Sequence, residues 1–257
     1  MADGGNIYRC ASEKAHVLTR EEAFLLIAGL QKMTLLDYPG KVACTVFLQG
    51  CNYRCPFCHN SSLLGASQEQ PMSEDALFAF LKKRVGLLDA VCISGGEPTL
   101  SPELPELLRK IRELGFLIKL DTNGSRPQVL RALVEEGLVD YVAMDVKNSP
   151  DKYAETAGCP ADLAAVEESL LFLMESGVEH ELRTTVVDEL HDTTTICGMG
   201  AWLKRLNGDK SIKKLFIQPF ADRESVYVCG LHTPDETKMA QFIEILRAFA
   251  DDVSIRG

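Results

Sequence analysis

Three cysteines lie close together in residues 50–60, directly after an apolar run. Cys51, Cys55 and Cys58 follow the spacing C-x3-C-x2-C. Three thiolates on one loop can bind three irons of a four-iron cluster, which leaves the fourth iron without a protein ligand. A structural zinc site requires a fourth ligand, and no second C-x2-C pair follows at zinc-ribbon spacing. His59 could complete a zinc site only through a strained chelate. The spacing favours an iron–sulfur cluster, with zinc as the alternative.

A glycine pair followed by an acid comes directly after a later apolar run. Gly95 and Gly96 have no side chains, so the backbone there could approach a ligand closely. Glu97 could hold an ammonium group. The same letters also describe an ordinary strand-to-helix turn, and the motif becomes informative only together with the three cysteines.

Two more polar groups follow apolar runs. Asp121, Thr122 and Asn123 could hydrogen-bond ribose hydroxyls, although an Asp-Thr-Asn-Gly stretch by itself is more often only a turn. Asp145 with Lys147 could bind a ligand or form a structural ion pair. Because parallel strands end at a common edge, we expect these groups to lie near the cysteines.

The cysteine spacing, with aromatic Phe57 just before Cys58, resembles the signature of the radical S-adenosylmethionine (SAM) superfamily. The flanking residues 37–41, 47–51 and 58–60 are similar to glycyl-radical activating enzymes. Within these, the chain most resembles the activating proteins of anaerobic ribonucleoside-triphosphate reductase, and the pyruvate formate-lyase activating enzymes are close. The resemblance extends over roughly residues 29–257.

The resemblance implies a [4Fe-4S] cluster and SAM as cofactors. The cysteines would be the catalytic cluster ligands, the Gly-Gly-Glu segment would contact the methionine amino group, and residues 121–123 would contact the ribose. The aromatic residue of the triplet would pack near the adenine, and an arginine on the fifth strand would contact the SAM carboxylate or ribose. The implied site residues are Cys51, Cys55, Phe57, Cys58, Gly95, Gly96, Glu97, Asp121, Thr122, Asn123, Asp145, Lys147 and Arg183.

Two further site expectations accompany this set. By the same resemblance, Asp121, Thr122 and Asp145 could hold a monovalent cation near SAM. Arg183 could equally be a strand-end arginine paired with an acid. His59 and Asn60 could orient the cysteine loop.

The implied reaction is reductive cleavage of SAM followed by hydrogen abstraction from a backbone glycine of a partner enzyme. Anaerobic ribonucleoside-triphosphate reductase is the first partner to consider, and a formate-lyase type enzyme is the second. A reduced flavodoxin or ferredoxin would supply the electron. The rival interpretations are a radical SAM enzyme that acts on a small molecule and, from a different class, an iron–sulfur electron carrier.

Composition limits the classes of partner and compartment. The net charge of −10 argues against nucleic acid as the main partner, because that binding requires a basic face. Nine cysteines, an odd number, indicate a reducing compartment. Residues 1–9 have no signal-peptide pattern, and no apolar run is long enough to span a bilayer. We expect a cytoplasmic protein without membrane contact. A second cluster built from Cys159, Cys197 and Cys229 is a minor alternative.

Apolar runs alternate with amphipathic segments along the chain. Strands are predicted at 42–48, 90–93, 116–120, 141–146, 182–187 and 215–220, and helices at 73–84, 101–114, 127–136, 162–176, a segment containing residues 199–206, and 233–250. Six strand–helix units require a parallel sheet with right-handed crossovers. An open doubly wound sheet is the rival; the resemblance favours a partial (β/α)6 TIM-type barrel. Residues 29–257 would form this domain, and residues 1–28 an N-terminal extension with a helix from Thr19 to Leu30.

Overall fold

The computed structural model describes residues 26–65, 71–222 and 226–256. Its centre is one eight-stranded sheet in which the strand order follows the chain order. Strands β2 to β8 are parallel to one another, and β1 pairs with β2 in the antiparallel direction. The strands are β1 (Ile27–Thr34), β2 (Ala43–Leu48), β3 (Ala90–Gly95), β4 (Leu117–Thr122), β5 (Tyr141–Asp145), β6 (Glu179–Val186), β7 (Ile212–Pro219) and β8 (Ala250–Ile255).

The predicted partial barrel with parallel strands is confirmed, and the six predicted strands correspond to β2 to β7. The sheet has one more strand at each edge. Since β1 and β8 end the strand order and do not pair with each other, the barrel remains open on that side.

Seven α-helices lie within the residues that the structure describes. They are α1 (Glu74–Lys82), α2 (Leu104–Glu113), α3 (Pro127–Glu135), α4 (Tyr153–Ala157), α5 (Leu163–Ser176), α6 (Thr193–Leu206) and α7 (Glu236–Leu246). Side-chain caps begin four of them, because Ser73, Asp162, Asp192 and Asp235 each accept a hydrogen bond from a backbone N–H of the first turn. No helix of the described residues is long and apolar enough to cross a membrane.

Two helix boundaries differ from the prediction. The second helix begins at Leu104, not at Ser101, because the Ser101 amide donates to Pro98 O at 3.1 Å and so ends a preceding 3-10 turn. The last helix ends at Leu246, and the chain turns there into β8, which starts at Ala250. The short helix α4 was not predicted.

The helix predicted over residues 19–30 is wrong where the structure describes it. Residues 27–30 belong to β1, in which Ile27 is 1% exposed and is paired with Leu48. Pairing with the next strand, β2, overrides the local helix signal at this position. The rest of the predicted helix, including the cap at Thr19, lies outside the described residues.

The turn after β1 closes the amino end of the barrel. Tyr38 packs against Tyr141 with ring centroids 5.6 Å apart, and Ala43, Ala90 and Cys92 complete this inner cluster. The opposite, carboxyl end of the barrel is therefore the end that is available to a ligand.

Candidate active site

A cavity of about 430 Å³ lies at the carboxyl ends of the parallel strands. All thirteen site residues predicted from the sequence line it. Its wall also includes residues that sequence reasoning did not assign to a ligand: Asp37, Phe47, Tyr53, His59, Asn60, Leu64, Ser94, Thr185 and Gln218.

The three cysteines lie on residues 49–60, here called the cysteine loop, which follows β2. Arg54 supports this loop from within, because its Nη1 donates to Cys51 O at 2.6 Å and to Tyr53 O at 2.8 Å. The Arg54 amide also donates to Ala157 O of α4 at 2.9 Å. The short helix thus supports the loop between Cys51 and Cys55.

Neighbouring loops support the cysteine loop on its other sides. Asn52 Oδ1 accepts from Asn123 Nδ2 at 2.9 Å, which links the loop to the end of β4. His59 Nε2 lies 2.7 Å from Ala221 O, and its ring stacks on Phe220 beyond the end of β7. Asn60 Nδ2 donates to Gly95 O at 3.1 Å. His59 and Asn60 were predicted to orient the loop; Asn52 and Arg54 were missed, because nothing in their spacing marks them.

The two glycines at the end of β3 lie against the cysteine loop and the strand before it. A Cβ on Gly95 would lie 2.2 Å from Leu48 O, and a Cβ on Gly96 would lie 2.0 Å from Gly50 O. The space that the missing side chains leave is therefore occupied by the cysteine loop and the strand before it. Their small size lets β3 pack against the loop, and because both glycines line the cavity, their expected contact with a ligand stays a prediction.

Glu97 is buried, at 2% exposure, and its carboxylate is surrounded by donors. Oε1 accepts from the amide and hydroxyl of Thr99 and from Thr122 Oγ1, and Oε2 accepts from the Asn123 amide at 2.6 Å. Burial raises the pKa of Glu97, and these hydrogen bonds offset the rise only in part. Three of these donors are on Oε1 and one is on Oε2, so Glu97 joins the ends of β3 and β4, and Oε2 keeps an acceptor position that these residues do not use.

A network of charges forms the floor of the cavity. Asp121 Oδ1 lies 2.7 Å from Lys119 Nζ, and Asp121 Oδ2 lies 3.3 Å from Arg183 Nη1. Asp145 pairs with Lys147 and Arg183, each at 3.0 Å. Burial alone would raise the pKa of Asp121, but Arg183 and Lys119 outweigh it and lower the pKa to about 2. Burial likewise opposes the ionisation of Lys147, and Asp145 reverses this and raises the pKa of Lys147.

This network already engages the residues that were predicted to hold a monovalent cation, which stays a prediction. Arg183 already bridges Asp121 and Asp145, and the hydroxyl of Thr122 donates to Glu97. Lys119, Lys147 and Arg183 pair with these two carboxylates, and Asp37 and Glu97 add two more acidic side chains to the cavity wall. In the described residues, no group of three or more His, Cys, Asp or Glu side chains could hold a single metal ion.

In the described part of the chain, Cys159, Cys197 and Cys229 do not gather into a group that could hold a metal ion. Cys159 donates to Asn52 O at 3.4 Å beside the cysteine loop, whereas Cys197 is exposed on α6 and Cys229 is exposed beyond β7. Cys44 and Cys92 are fully buried core residues.

The sequence profile of the radical SAM superfamily matches residues 45–194, more than half of the chain and the part that contains every site residue. The chain belongs to the radical SAM superfamily. This radical SAM enzyme is 33% identical, over 244 residues, to a Methanocaldococcus jannaschii protein named provisionally as a glycyl-radical enzyme activating enzyme. That match covers 90% of this chain and 95% of the relative.

Two further comparisons agree with this membership. The pyruvate formate-lyase-activating enzyme of Clostridium pasteurianum is 30% identical over 130 residues, which cover 49% of this chain and 53% of that enzyme. The crystal structure of a domain of pyruvate-formate lyase-activating enzyme from Bacteroides vulgatus superimposes with a TM-score of 0.54 at 21% identity. It covers 65% of this chain and 99% of that domain, and at this identity it supports the fold alone.

The superfamily uses a [4Fe-4S] cluster and SAM, and the cavity of this radical SAM enzyme has the donors that the cluster requires. Three cysteine thiols face one space, and thiolates are the ligands that select iron–sulfur clusters. Burial raises the pKa of Cys51 to about 12 and that of Cys55 to about 11, and it also raises the pKa of Cys58. Each thiol therefore stays neutral until iron binding removes its proton. In a cubane each thiolate binds a different iron, so the three need not converge on one ion.

Proposed function

We propose that this protein is an activating enzyme that generates a glycyl radical on anaerobic ribonucleoside-triphosphate reductase. The observation that carries the proposal is the gathering of all thirteen residues implied by the resemblance around one cavity. The 33% identity to a relative named as an activating enzyme, across 95% of that relative, supports the same class. The choice of the reductase as partner rests on the residues that flank the cysteine triplet.

Cys51, Cys55 and Cys58 would hold the cluster, and the wall formed by the ends of β3 to β6 would hold SAM. The cluster, once reduced, would supply the electron that cleaves SAM and yields the hydrogen-abstracting radical. Phe57 would pack near the adenine, and residues 121–123 would contact the ribose. The Gly95-Gly96-Glu97 segment would contact the methionine amino group, and Glu97 Oε2, which has a single donor among the described residues, keeps an acceptor position for it.

The charge network suits a zwitterionic ligand better than acid–base catalysis. Asp121 and Asp145 both have lowered pKa values and are paired with Arg183, so neither is available as a proton carrier at neutral pH. Arg183 and Lys147 would contribute positive charge toward the SAM carboxylate. Hydrogen abstraction from a glycine needs no proton transfer by the enzyme, which agrees with this arrangement.

The electron donor would approach on the side of the cysteine loop. Asn52 lies in the loop between two of the cysteines and is exposed, so a donor docked there would be close to the cluster. A reduced flavodoxin or ferredoxin is the class of donor that we propose.

A formate-lyase type enzyme is the second candidate for the partner. The 30% identity to the Clostridium pasteurianum activating enzyme favours it, although that match covers only about half of each chain. The target glycine belongs to a different protein in each case, so the two candidates can be compared directly in one assay.

The test is anaerobic reconstitution with iron and sulfide, chemical reduction and addition of SAM. We expect 5′-deoxyadenosine from the unmodified protein and none from Cys55→Ala, while Cys197→Ala, which changes an exposed cysteine away from the cavity, should retain full activity. Each candidate partner is then added in a separate reaction, and we expect the glycyl-radical signal in the reaction that contains the reductase. Absence of deoxyadenosine from a reduced protein that holds the cluster would refute the class. A signal with the formate-lyase type enzyme alone would refute the choice of partner.

A further inference from the structure

Lys147 is the charged side chain that links the cysteines to the rest of the cavity. Its ammonium pairs with Asp145 at 3.0 Å and lies 6.0 Å from the centre of the Phe57 ring in the cysteine loop. Its positive charge acts on the sulfurs of all three ligand cysteines. Lys147 lies beyond the end of β5, outside the strand pairing of the sheet. The position of its ammonium therefore depends on what else holds its backbone.

A buried histidine holds the backbone of Lys147. His191 lies in the turn after β6 and is 1% exposed, and its Nε2 lies 3.0 Å from Lys147 O. Its Nδ1 accepts a hydrogen bond from the Val187 amide at 3.1 Å. A second hydrogen bond joins the same two loops, because Asn148 Nδ2 donates to Leu190 O at 2.8 Å. The turn after β6 thus fixes the chain just beyond β5.

These partners determine which ring nitrogen of His191 carries the proton. A backbone N–H can only donate, so Nδ1 must be the acceptor in the bond from Val187. Val187 O also lies 3.3 Å from Nδ1, but it already accepts from the amides of Leu190 and His191. Burial lowers the pKa of His191, which keeps the ring neutral at neutral pH. Nε2 therefore carries the single proton and donates to Lys147 O.

We propose that His191 is a positioning residue for the cluster, because its Nε2–H fixes the backbone of Lys147 and so keeps the ammonium beside the cysteine loop. His191 does not line the cavity, so it acts only through Lys147. Reduction adds one negative charge to the cluster, and a nearby ammonium stabilises that charge and raises the midpoint potential. Loss of the hydrogen bond to Lys147 O should therefore lower the potential, although every cluster ligand and the ammonium remain in the chain.

Two substitutions separate the two hydrogen bonds of the ring. The amide oxygen of asparagine can take the place of Nδ1, so His191→Asn can keep the bond from Val187 but loses the donor to Lys147 O. The amide nitrogen of glutamine can take the place of Nε2, so His191→Gln can keep that donor. The chain offers a matched control in His180, a half-buried histidine on β6 whose Nδ1 lies 2.9 Å from Val178 O and which does not line the cavity.

The experiment is a redox titration of the reconstituted full chain, followed by electron paramagnetic resonance in the absence of SAM. At equal iron content, we expect the midpoint potential to fall in His191→Asn and to stay unchanged in His191→Gln and His180→Asn. Lys147→Met should lower the potential further. Adding His191→Asn to Lys147→Met should then cause no additional fall, because the histidine acts through the ammonium.

Several outcomes would overturn the proposal. An unchanged potential in His191→Asn or in Lys147→Met would remove one of its two steps. Equal falls in His191→Asn and His191→Gln would show that the ring matters and the donor does not. Falls that add in the double variant would show that His191 does not act through Lys147.

A second measurement covers the case in which the variants fail to fold or to bind iron. Nitrogen-15 NMR of the unmodified, iron-free full chain labelled at histidine reports which nitrogen of each ring is protonated. The His191 ring, identified by its nuclear Overhauser contact with the Val187 amide, should carry its proton on Nε2, and a proton on Nδ1 would overturn the proposal. The inference concerns the cluster and not the partner enzyme, so its failure leaves the proposed activation of a glycyl-radical enzyme untouched.

Discussion

Substitution of Gly96 by alanine tests how the cavity is built. A Cβ at this position would lie 2.0 Å from Gly50 O, 2.6 Å from Gly50 C and 3.2 Å from Cys51 N. All three are backbone atoms of the cysteine loop, so no flexible side chain can move aside. To reach ordinary contact distance, the loop and the end of β3 must separate by roughly an ångström.

The cost can be worked out from the contacts that this separation disturbs. Overpacking of a tight site costs about 1–3 kcal/mol. Two backbone hydrogen bonds join the same segments, from the Gly96 amide to Leu48 O at 2.9 Å and from the Glu97 amide to Gly50 O at 2.8 Å. Their loss adds about 0.5–1.5 kcal/mol each. Gly96→Ala should therefore lower the free energy of unfolding by about 2–6 kcal/mol.

The assay is urea denaturation of the iron-free protein, together with the iron content after reconstitution. Gly29→Ala is the matched control, because its Cβ would meet only Phe47 at 3.9 Å. The control should keep the stability and iron content of the unmodified protein, whereas Gly96→Ala should lose part of both before any SAM is added. Normal stability and iron content in Gly96→Ala, with weakened SAM binding alone, would refute the packing argument and restore the ligand-clearance explanation.

Two more substitutions test the polar groups of the cavity. Glu97→Gln places an amide NH2 against a backbone N–H such as that of Asn123, and should lower the free energy of unfolding of the iron-free protein by about 1–3 kcal/mol; unchanged urea stability would contradict this. Ionised Asp121 stabilises the fold above its unfolded pKa of 3.8, and this contribution is lost as the pH falls toward its folded pKa of about 2. Asp121→Asn should lower the free energy of unfolding by about 2 kcal/mol at neutral pH, and this free energy should then fall less steeply in acid. The same dependence on acid pH in the variant and in the unmodified protein would contradict the ion-pair assignment.

The site residues could be predicted from the sequence because the geometry of a parallel sheet brings strand ends together whatever the connecting helices are. Gly95, Thr122 and Asp145 each end a strand, and the strands are neighbours in chain order. Their assembly around the cysteines therefore needed only the correct strands. The antiparallel β1 could not be predicted in this way, since the local pattern of residues 27–30 favours a helix and their strand conformation comes from pairing with β2.

The functions of individual site residues were harder to predict than their positions. A glycine pair in a sequence shows that side chains are missing, but not that Leu48 and Gly50 occupy the space. Glu97 likewise shows a carboxylate, but not the four donors that surround it. The support of Arg54 by Ala157 depends on a helix of five residues, too short for its pattern to be recognised.

Lys147 connects the two halves of the cavity. Burial raises the pKa of Cys51, Cys55 and Cys58. The positive charge of Lys147 acts in the opposite direction on each of them and offsets part of the rise. The same ammonium pairs with Asp145, which joins it to Arg183 and to the SAM side of the cavity. A cluster ligated by three thiolates is negatively charged, and a protein with a net charge of −10 would repel it without local compensation. The positive charge of Lys147 would therefore offset part of the negative charge of a cluster bound by the cysteine loop.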